Sequence, residues 1–180
     1  MVEEAHLEQR GPGLAPEGDG WFVVNVRDAT WVSSDAFGSD CSFESFDASF
    51  GQLGIRIQVV FPGQPNGLYH REDMQEDFLV LSGECLLLVE GQERLLRAWD
   101  FFHSPPNTGH IFVGVGERPC VILMTGARSP DWSVVYPVSE LARKHGAGVE
   151  VEATTPRDAY APYPEERLEQ PALWEECPWA

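Results

Sequence analysis

The chain is poor in basic residues and has no long apolar run. Its 180 residues include 12 lysines and arginines against 29 aspartates and glutamates, a formal net charge of −17. This excess repels phosphate backbones and anionic lipids, so binding to nucleic acid or to a membrane is not expected. No apolar run approaches the ~20 residues that span a bilayer, and the acidic N-terminus does not resemble a signal peptide. We expect a soluble, cytoplasmic protein.

Cysteine is also scarce. The four cysteines are Cys41, Cys85, Cys120 and Cys177, and no two of them have CxxC spacing. Cys85 and Cys120 lie inside apolar runs, where a thiol behaves as a small apolar side chain. We therefore predict buried thiols in a reducing compartment. A catalytic thiol at Cys41, whose surroundings are polar, is the alternative.

Short apolar runs separated by turn residues follow one another from Gln52 onward. Residues 55–60 alternate with a period of two and end at the turn sequence FPGQPNG, residues 61–67. Further strands are predicted over 77–81, 84–89, 92–97, 99–103, 110–115 and 121–124. Short strands at this spacing are typical of an all-β sandwich or barrel.

The flanking segments have a different composition. Residues 1–20 are rich in Gly, Pro and Glu without a hydrophobic period, which indicates a flexible tail. The run WFVVNV at 21–26 predicts a strand, whereas the polar segment 33–51 predicts a loop. Residues 138–145 predict a short helix with Ser139 as its N-cap, followed by an acidic, Pro-rich arm. We expect three parts: a tail (1–20), a barrel with an N-terminal strand (21–126), and a C-terminal helix and arm (127–180) packed on the barrel or a partner.

Candidate metal ligands lie in two segments, 69–83 and 99–110. They are His70, Glu72, Glu76 and His110. Residues two apart on a strand share a face, so His70 and Glu72 should point the same way. A strand that begins near Glu76 can aim a third donor inward. His110 follows a proline-rich turn that would hold its imidazole in place. Each residue taken alone is also compatible with a solvated or structural role.

The two segments resemble the two sequence motifs of the cupin superfamily. The first motif is G, five residues, H-x-H, three or four residues, E, six residues, G. His70, Glu76 and Gly83 fall at these spacings, and Glu72 stands where the family has a second His. Gly63 lies one place too early for the leading Gly.

The second cupin motif is G, five residues, P-x-G, two residues, H, three residues, N. Pro105 and His110 match it, whereas Trp99, Asn107 and Gly114 stand where the family usually has Gly, Gly and Asn. The resemblance covers residues 53–126. It implies an all-β, double-stranded β-helix of the jelly-roll kind, and homodimers that form through terminal strands.

The predicted function is a metal-binding cupin that binds or converts a small organic molecule in the barrel. Two imidazoles and two carboxylates suit Fe(II), Mn(II), Ni(II) or Zn(II). An enzyme would be oxygenase- or isomerase-like, with Glu72 as ligand or base and His103 as a second catalytic candidate. The alternative is a non-catalytic module for a sugar or another metabolite.

The predicted cavity is lined by Phe and Leu side chains and accepts a neutral or anionic molecule. The inward positions would come from the pairs Phe78 and Val80, Leu86 and Leu88, and Phe101 and His103.

Overall fold

The fold is almost entirely β, in agreement with the prediction. The computed structural model describes residues 1–45 and 48–179, so positions 46 and 47 of the predicted loop and Ala180 of the predicted arm lie outside it. The strands are β1 (His6–Arg10), β2 (Gly13–Glu17), β3 (Trp31–Ser34), β4 (Gly38–Ser42), β5 (Leu53–Val60), β6 (Arg71–Glu72), β7 (Glu76–Ser82), β8 (Glu84–Val89), β9 (Gln92–Arg97), β10 (Phe101–Ser104), β11 (His110–Val115), β12 (Cys120–Ala127), β13 (Val134–Val135) and β14 (Arg167–Leu168). The helices are α1 (Glu140–Lys144), α2 (Pro156–Tyr160) and a 3-10 helix (Trp174–Glu176).

Two antiparallel sheets form the barrel. The larger sheet has the strand order β10-β7-β12-β5-β4-β3-β14, and the smaller has the order β11-β8-β9. Turn residues in the left-handed region join neighbouring strands, as at Gly83 between β7 and β8 and at Gly91 between β8 and β9. Two further strand pairs, β1-β2 and β13-β6, flank these sheets. This architecture is the double-stranded β-helix that the sequence predicted.

The larger sheet is covered on both faces. On its inner face, Val60, Phe78 and Ile122 pack with Phe112 of the smaller sheet. On its outer face, side chains of β3, β5 and β12 form a second core with the C-terminal arm. Because both faces are buried, apolar residues occur at neighbouring positions of β5 and do not by themselves identify the face that looks into the barrel.

The N-terminal residues differ from the prediction of an unstructured tail. Strands β1 and β2 form a hairpin with the pairing His6 to Glu17 through Arg10 to Gly13. The amide of Leu14 donates to the carbonyl of Asp28 at 2.7 Å, which attaches the hairpin to the chain before β3. Backbone pairing and attachment to the rest of the fold give this segment a structure that its composition does not reveal.

The prediction of a strand at 21–26 is wrong, and so is the prediction of a loop throughout 33–51. Residues 21–26 form no strand, although Val24 and Val26 pack on the second core. Strands β3 and β4 instead occupy 31–34 and 38–42. The segment of β4, GSDCS, has weak intrinsic strand propensity, and its pairing with β5 overrides it.

The C-terminal region folds onto the barrel of its own chain. Ser139 caps helix α1: its side chain accepts a hydrogen bond from the Ala142 amide, so the predicted cap is confirmed. The rings of Trp174 and Trp179 lie 5.7 and 5.3 Å from the ring of Trp31, which is fully buried beneath them. Within the described part of the chain, no helix combines the length and apolar character needed to cross a membrane.

Two departures from the second cupin motif have a common backbone explanation. Trp99 and Asn107 stand where the family usually has Gly, and their φ angles are +76° and +68°. Asn tolerates this left-handed conformation better than most residues do, whereas a bulky side chain such as Trp is strained in it. The Trp99 side chain is 75% exposed, so little packing offsets the strain.

We predict that Trp99→Gly stabilises the protein by about 0.5–1 kcal/mol, because the relief of left-handed strain exceeds the entropy cost of glycine. The urea unfolding midpoint measures this change. Val151→Gly is the matched control, since Val151 is 77% exposed but has no positive φ, and it should not stabilise the fold. A lower midpoint for Trp99→Gly would contradict the prediction.

Candidate metal centre

Backbone pairing places the two candidate histidines opposite each other. The amide of His110 donates to the carbonyl of His70 at 2.9 Å, and the amide of His70 donates to the carbonyl of His110 at 3.3 Å. The two imidazole centroids are 5.1 Å apart. His110 begins β11, and His70 immediately precedes β6. Residues 40 positions apart therefore share one end of the barrel.

Each imidazole is fixed in one tautomer by a backbone carbonyl. His70 Nδ1 lies 2.8 Å from the carbonyl oxygen of Leu68, and His110 Nδ1 lies 3.0 Å from that of Thr108. A carbonyl can only accept, so Nδ1 carries the hydrogen in both rings. Nε2 then keeps its lone pair, which is the arrangement a metal-binding histidine requires.

Glu76 completes a compact group of donors. One donor atom from each of His70, Glu76 and His110 lies within 4.8 Å of the other two. His110 Nε2 is 3.5 Å from Glu76 Oε2, and the His110 side chain is only 2% exposed. The structure thus brings together three of the four predicted ligands.

Burial determines the protonation of this group. It lowers the pKa of His70, and it lowers the pKa of His110 to about 3 with a further contribution from His70. Burial, assisted by the nearby Glu72, raises the pKa of Glu76 to about 8, although Arg56 opposes this rise. At pH 7 both imidazoles are therefore neutral, and the Glu76 carboxyl is mostly protonated.

These features fit a divalent transition metal. Two Nε2 lone pairs and one carboxylate form a compact donor set of the kind that Fe, Mn, Ni and Zn accept. His70, Glu76 and His110 would hold the ion, and the carbonyls of Leu68 and Thr108 would orient the two imidazoles.

Glu72 lies next to this group rather than within it. Its Oε1 is 3.9 Å from His70 Nε2. Its Oε2 accepts a hydrogen bond from Trp132 Nε1 at 2.7 Å. The predicted common face of His70 and Glu72 agrees with this proximity. Trp132 was not a candidate from the sequence, because it lies 60 positions away in a segment without a motif.

The predicted position of His103 in the cavity is wrong. The register pairs Phe102 with Phe78 and His103 with Asp77, so Phe102 takes the inner face of β10. The Phe102 ring is 5.6 Å from His110. The His103 side chain is 51% exposed, and its Nδ1 lies 2.6 Å from the Asp77 carboxylate outside the barrel. The His103 side chain thus points away from the candidate metal centre.

A cavity of about 710 Å³ opens beside the three donors. Of the predicted apolar lining, Phe78 is present, whereas Val80, Leu86, Leu88 and Phe101 do not line it. Arg56 and Gln58, on the inner face of β5, line it instead. The cavity is therefore more polar than predicted. The other polar and aromatic lining residues are Ser34, Phe37, Asp40, Asn66, Glu72, Thr125, Arg128, Ser129, Trp132, Tyr136, Tyr160 and Glu166.

Comparison with known proteins identifies the class. Residues 56–126 match the family model described as "Cupin domain". This segment is therefore a cupin domain, in agreement with the motif resemblance. No curated protein matches the chain.

Solved structures share the fold. A sugar phosphate isomerase from a cupin superfamily, from Silicibacter pomeroyi, is 20% identical over 78% of this chain and 87% of its own, with a TM-score of 0.52. The polyketide cyclase RemF from Streptomyces resistomycificus is 15% identical over 62% and 83%, with a TM-score of 0.53. A putative sugar phosphate isomerase from Acidithiobacillus ferrooxidans is 27% identical over 46% of this chain, with a TM-score of 0.45, and this chain spans 55% of its length. At these identities, the first two establish a common fold only.

We predict that metal binding releases a proton from Glu76 below pH 8. The carboxyl has a pKa of about 8 and must ionise to bind a cation, whereas the neutral imidazoles have no proton to lose. The apparent affinity for Ni²⁺ should rise about tenfold per pH unit between pH 6 and 7.5 and level off above 8. Calorimetry at pH 6.5 in two buffers with different ionisation enthalpies measures the proton release.

Two variants serve as controls for this measurement. Glu76→Gln should bind Ni²⁺ weakly and without proton release, and His110→Ala should lose binding while circular dichroism still shows a folded β protein. Heats at pH 6.5 that do not depend on the buffer would contradict the prediction.

Proposed function

We propose that the protein is a metal-dependent enzyme that moves a proton on a small carbonyl or hydroxy-carbonyl compound, as an isomerase does. One observation carries the proposal. A second carboxylate, Glu72, lies beside the three donors but does not belong to the group that His70, Glu76 and His110 form. A metal site that also offers a positioned acid or base can carry out proton transfer. The cavity beside it supplies the room for a substrate.

The ion, held by His70, Glu76 and His110, would polarise the oxygen of a bound carbonyl group. Glu72 is the group that would take a proton from the neighbouring carbon and return it. Trp132 holds one carboxylate oxygen of Glu72 at 2.7 Å, which leaves Oε1 facing the donors. Tyr136, buried at 5.7 Å from the His70 ring, helps to keep water from this side of the site.

Within this proposal Fe, Mn, Ni and Zn all remain compatible with the donor set, and metal analysis of purified protein would distinguish them. We further propose a cytoplasmic location, which four free, buried thiols support.

We predict that Glu72→Gln keeps the metal but lowers proton transfer by about 10²–10⁴-fold, because general acid-base groups contribute rate enhancements of that size. The assay incubates the metal-loaded protein in D₂O with dihydroxyacetone, aldoses, ketoses and 2-oxo acids, and NMR follows deuterium entering C–H positions. The amide is isosteric with the carboxylate and can still accept from Trp132, so the local structure should persist.

The comparison variants separate the roles of the carboxylates. Glu76→Gln should lose metal and activity together, and Glu117→Gln, an exposed carboxylate on the β11-β12 turn, should change neither. Binding of a panel member without deuterium exchange would replace the enzyme by the alternative, a non-catalytic binding module.

We also propose that the chain forms a homodimer through residues 21–26. Trp21 and Val23 are 51% and 80% exposed, and adjacent exposed apolar side chains favour an interface. Trp174 and Trp179 pack on Trp31 of the same chain, so the arm offers less apolar surface to a partner.

Light scattering at micromolar concentration should give twice the chain mass of 20.1 kDa. The double variant Trp21→Ser, Val23→Ser should shift the protein towards the monomer, since it removes the apolar contact surface. Trp99→Ser, at an exposed aromatic residue on another turn, is the control and should leave the mass unchanged. A monomer mass for the unaltered chain would refute the dimer.

A further inference from the structure

Away from the metal ligands, the acidic side chains of the cavity are more available to a ligand than the basic side chains are. Asp40 on β4 and Glu166 of the C-terminal arm are the acids there, and Arg56 and Arg128 are the bases. The four charges balance in number, so the interactions that each base already makes decide what a ligand would meet.

Arg128 is already paired within the protein. Its Nη1 and Nη2 donate to the two carboxylate oxygens of Glu44 at 2.7 and 2.6 Å, and Nη1 also donates to the carbonyl of Phe50 at 2.8 Å. This bidentate pair neutralises the guanidinium and occupies most of its donors. Arg128 therefore has little left for an anionic ligand.

Arg56 is shared between carboxylates. Its Nη1 lies 3.8 Å from Asp40 Oδ2, and its charge also lowers the pKa of Glu76. The chain has a single lysine, Lys144, which does not line the cavity. A phosphate group carries close to two negative charges and needs several donors. Among the described lining residues it would find one partly neutralised guanidinium, with Asp40 and Glu166 nearby.

The cavity wall does, in contrast, carry both hydrogen-bond donors and hydrogen-bond acceptors. Tyr160 Oη accepts from the Leu68 amide at 3.0 Å, so its own hydrogen remains available to donate. Tyr136 packs against Tyr160 at 5.8 Å, and burial raises the pKa of both phenols, which keeps them protonated. Asp40 and Glu166 provide acceptors. Hydroxyl groups both donate and accept, so they match such a lining.

We infer that this cavity takes an uncharged, polyhydroxylated molecule, such as a free sugar or a sugar-like polyol, and discriminates against its phosphorylated form. The aromatic faces of Phe37, Trp132 and Tyr136 complement this selection, because they suit the apolar C–H face of a sugar-like ring. The inference rests on the proposed function, which places the bound molecule beside His70, Glu76 and His110. What it adds is the charge of that molecule. It separates this protein from the activity named for its sugar phosphate isomerase neighbours.

The test compares matched pairs on metal-loaded protein: glucose with glucose 6-phosphate, fructose with fructose 6-phosphate, and ribose with ribose 5-phosphate. Calorimetry or ligand-observed NMR should show at least one free sugar binding about tenfold or more tightly than its phosphate ester. Asp40→Asn and Glu166→Gln should narrow this ratio by about three- to fivefold, because each removes a like charge near the phosphate. Glu117→Gln is the charge-matched control outside the cavity and should leave the ratio unchanged.

Equal or tighter binding of the phosphate esters would overturn the inference, and so would the failure of every free sugar in the panel to bind. A reversed preference with deuterium exchange intact would leave the proposed proton transfer standing. Free sugars that bind without deuterium exchange would support the inference and refute the proposed enzyme.

Discussion

The candidate site depends on the pair of backbone hydrogen bonds between His70 and His110. These bonds join the chain before β6 to the start of β11 and bring two distant residues into register. Register in turn fixes which side chains share a face. Each imidazole is then held by the carbonyl two residues earlier, so the same short backbone segments set the position, the ring orientation and the tautomer. A change in this pairing would alter all three at once.

The larger sheet connects the candidate site to the stability of the fold. Glu76 begins β7, whose inner face continues with Phe78 and Val80 into the buried core. Burial of that core holds the strand, and the strand holds a carboxylate in surroundings that raise its pKa. The energetic cost of keeping Glu76 charged without a cation is therefore a direct result of its attachment to a well-packed strand. Binding of a metal ion would offset that cost.

Much of the barrel could be predicted from the sequence, because its strands are short, alternating and separated by glycine turns. The spacing of His70, Glu76 and His110 also identified the three clustered donors. The face of β10 could not be predicted, since Phe101, Phe102 and His103 offer apolar or ambivalent residues on both sides and only the pairing with β7 decides between them. Strands β3 and β4 were missed because the pairing of β3 with β4 and of β4 with β5 forms them, rather than their composition. Trp132 and Tyr160 reach the cavity through tertiary contacts that no local pattern records.

The exchange of the family's second histidine for Glu72 links the metal centre to the chemistry of the whole cavity. A histidine at this position would be a neutral donor, and a divalent ion with Glu76 alone would then keep one positive charge. With Glu72 nearby, 3.9 Å from His70 Nε2, the two carboxylates together would balance a bound divalent ion. The local field therefore attracts an anion much less than an ion with one carboxylate would. Charges are also paired elsewhere in the cavity, where Arg56 lies near Asp40 and Arg128 is bonded to Glu44. Charge balance at the metal centre would thus favour the same ligand as charge balance among the lining residues does. That ligand is recognised by hydrogen bonds rather than by its net charge.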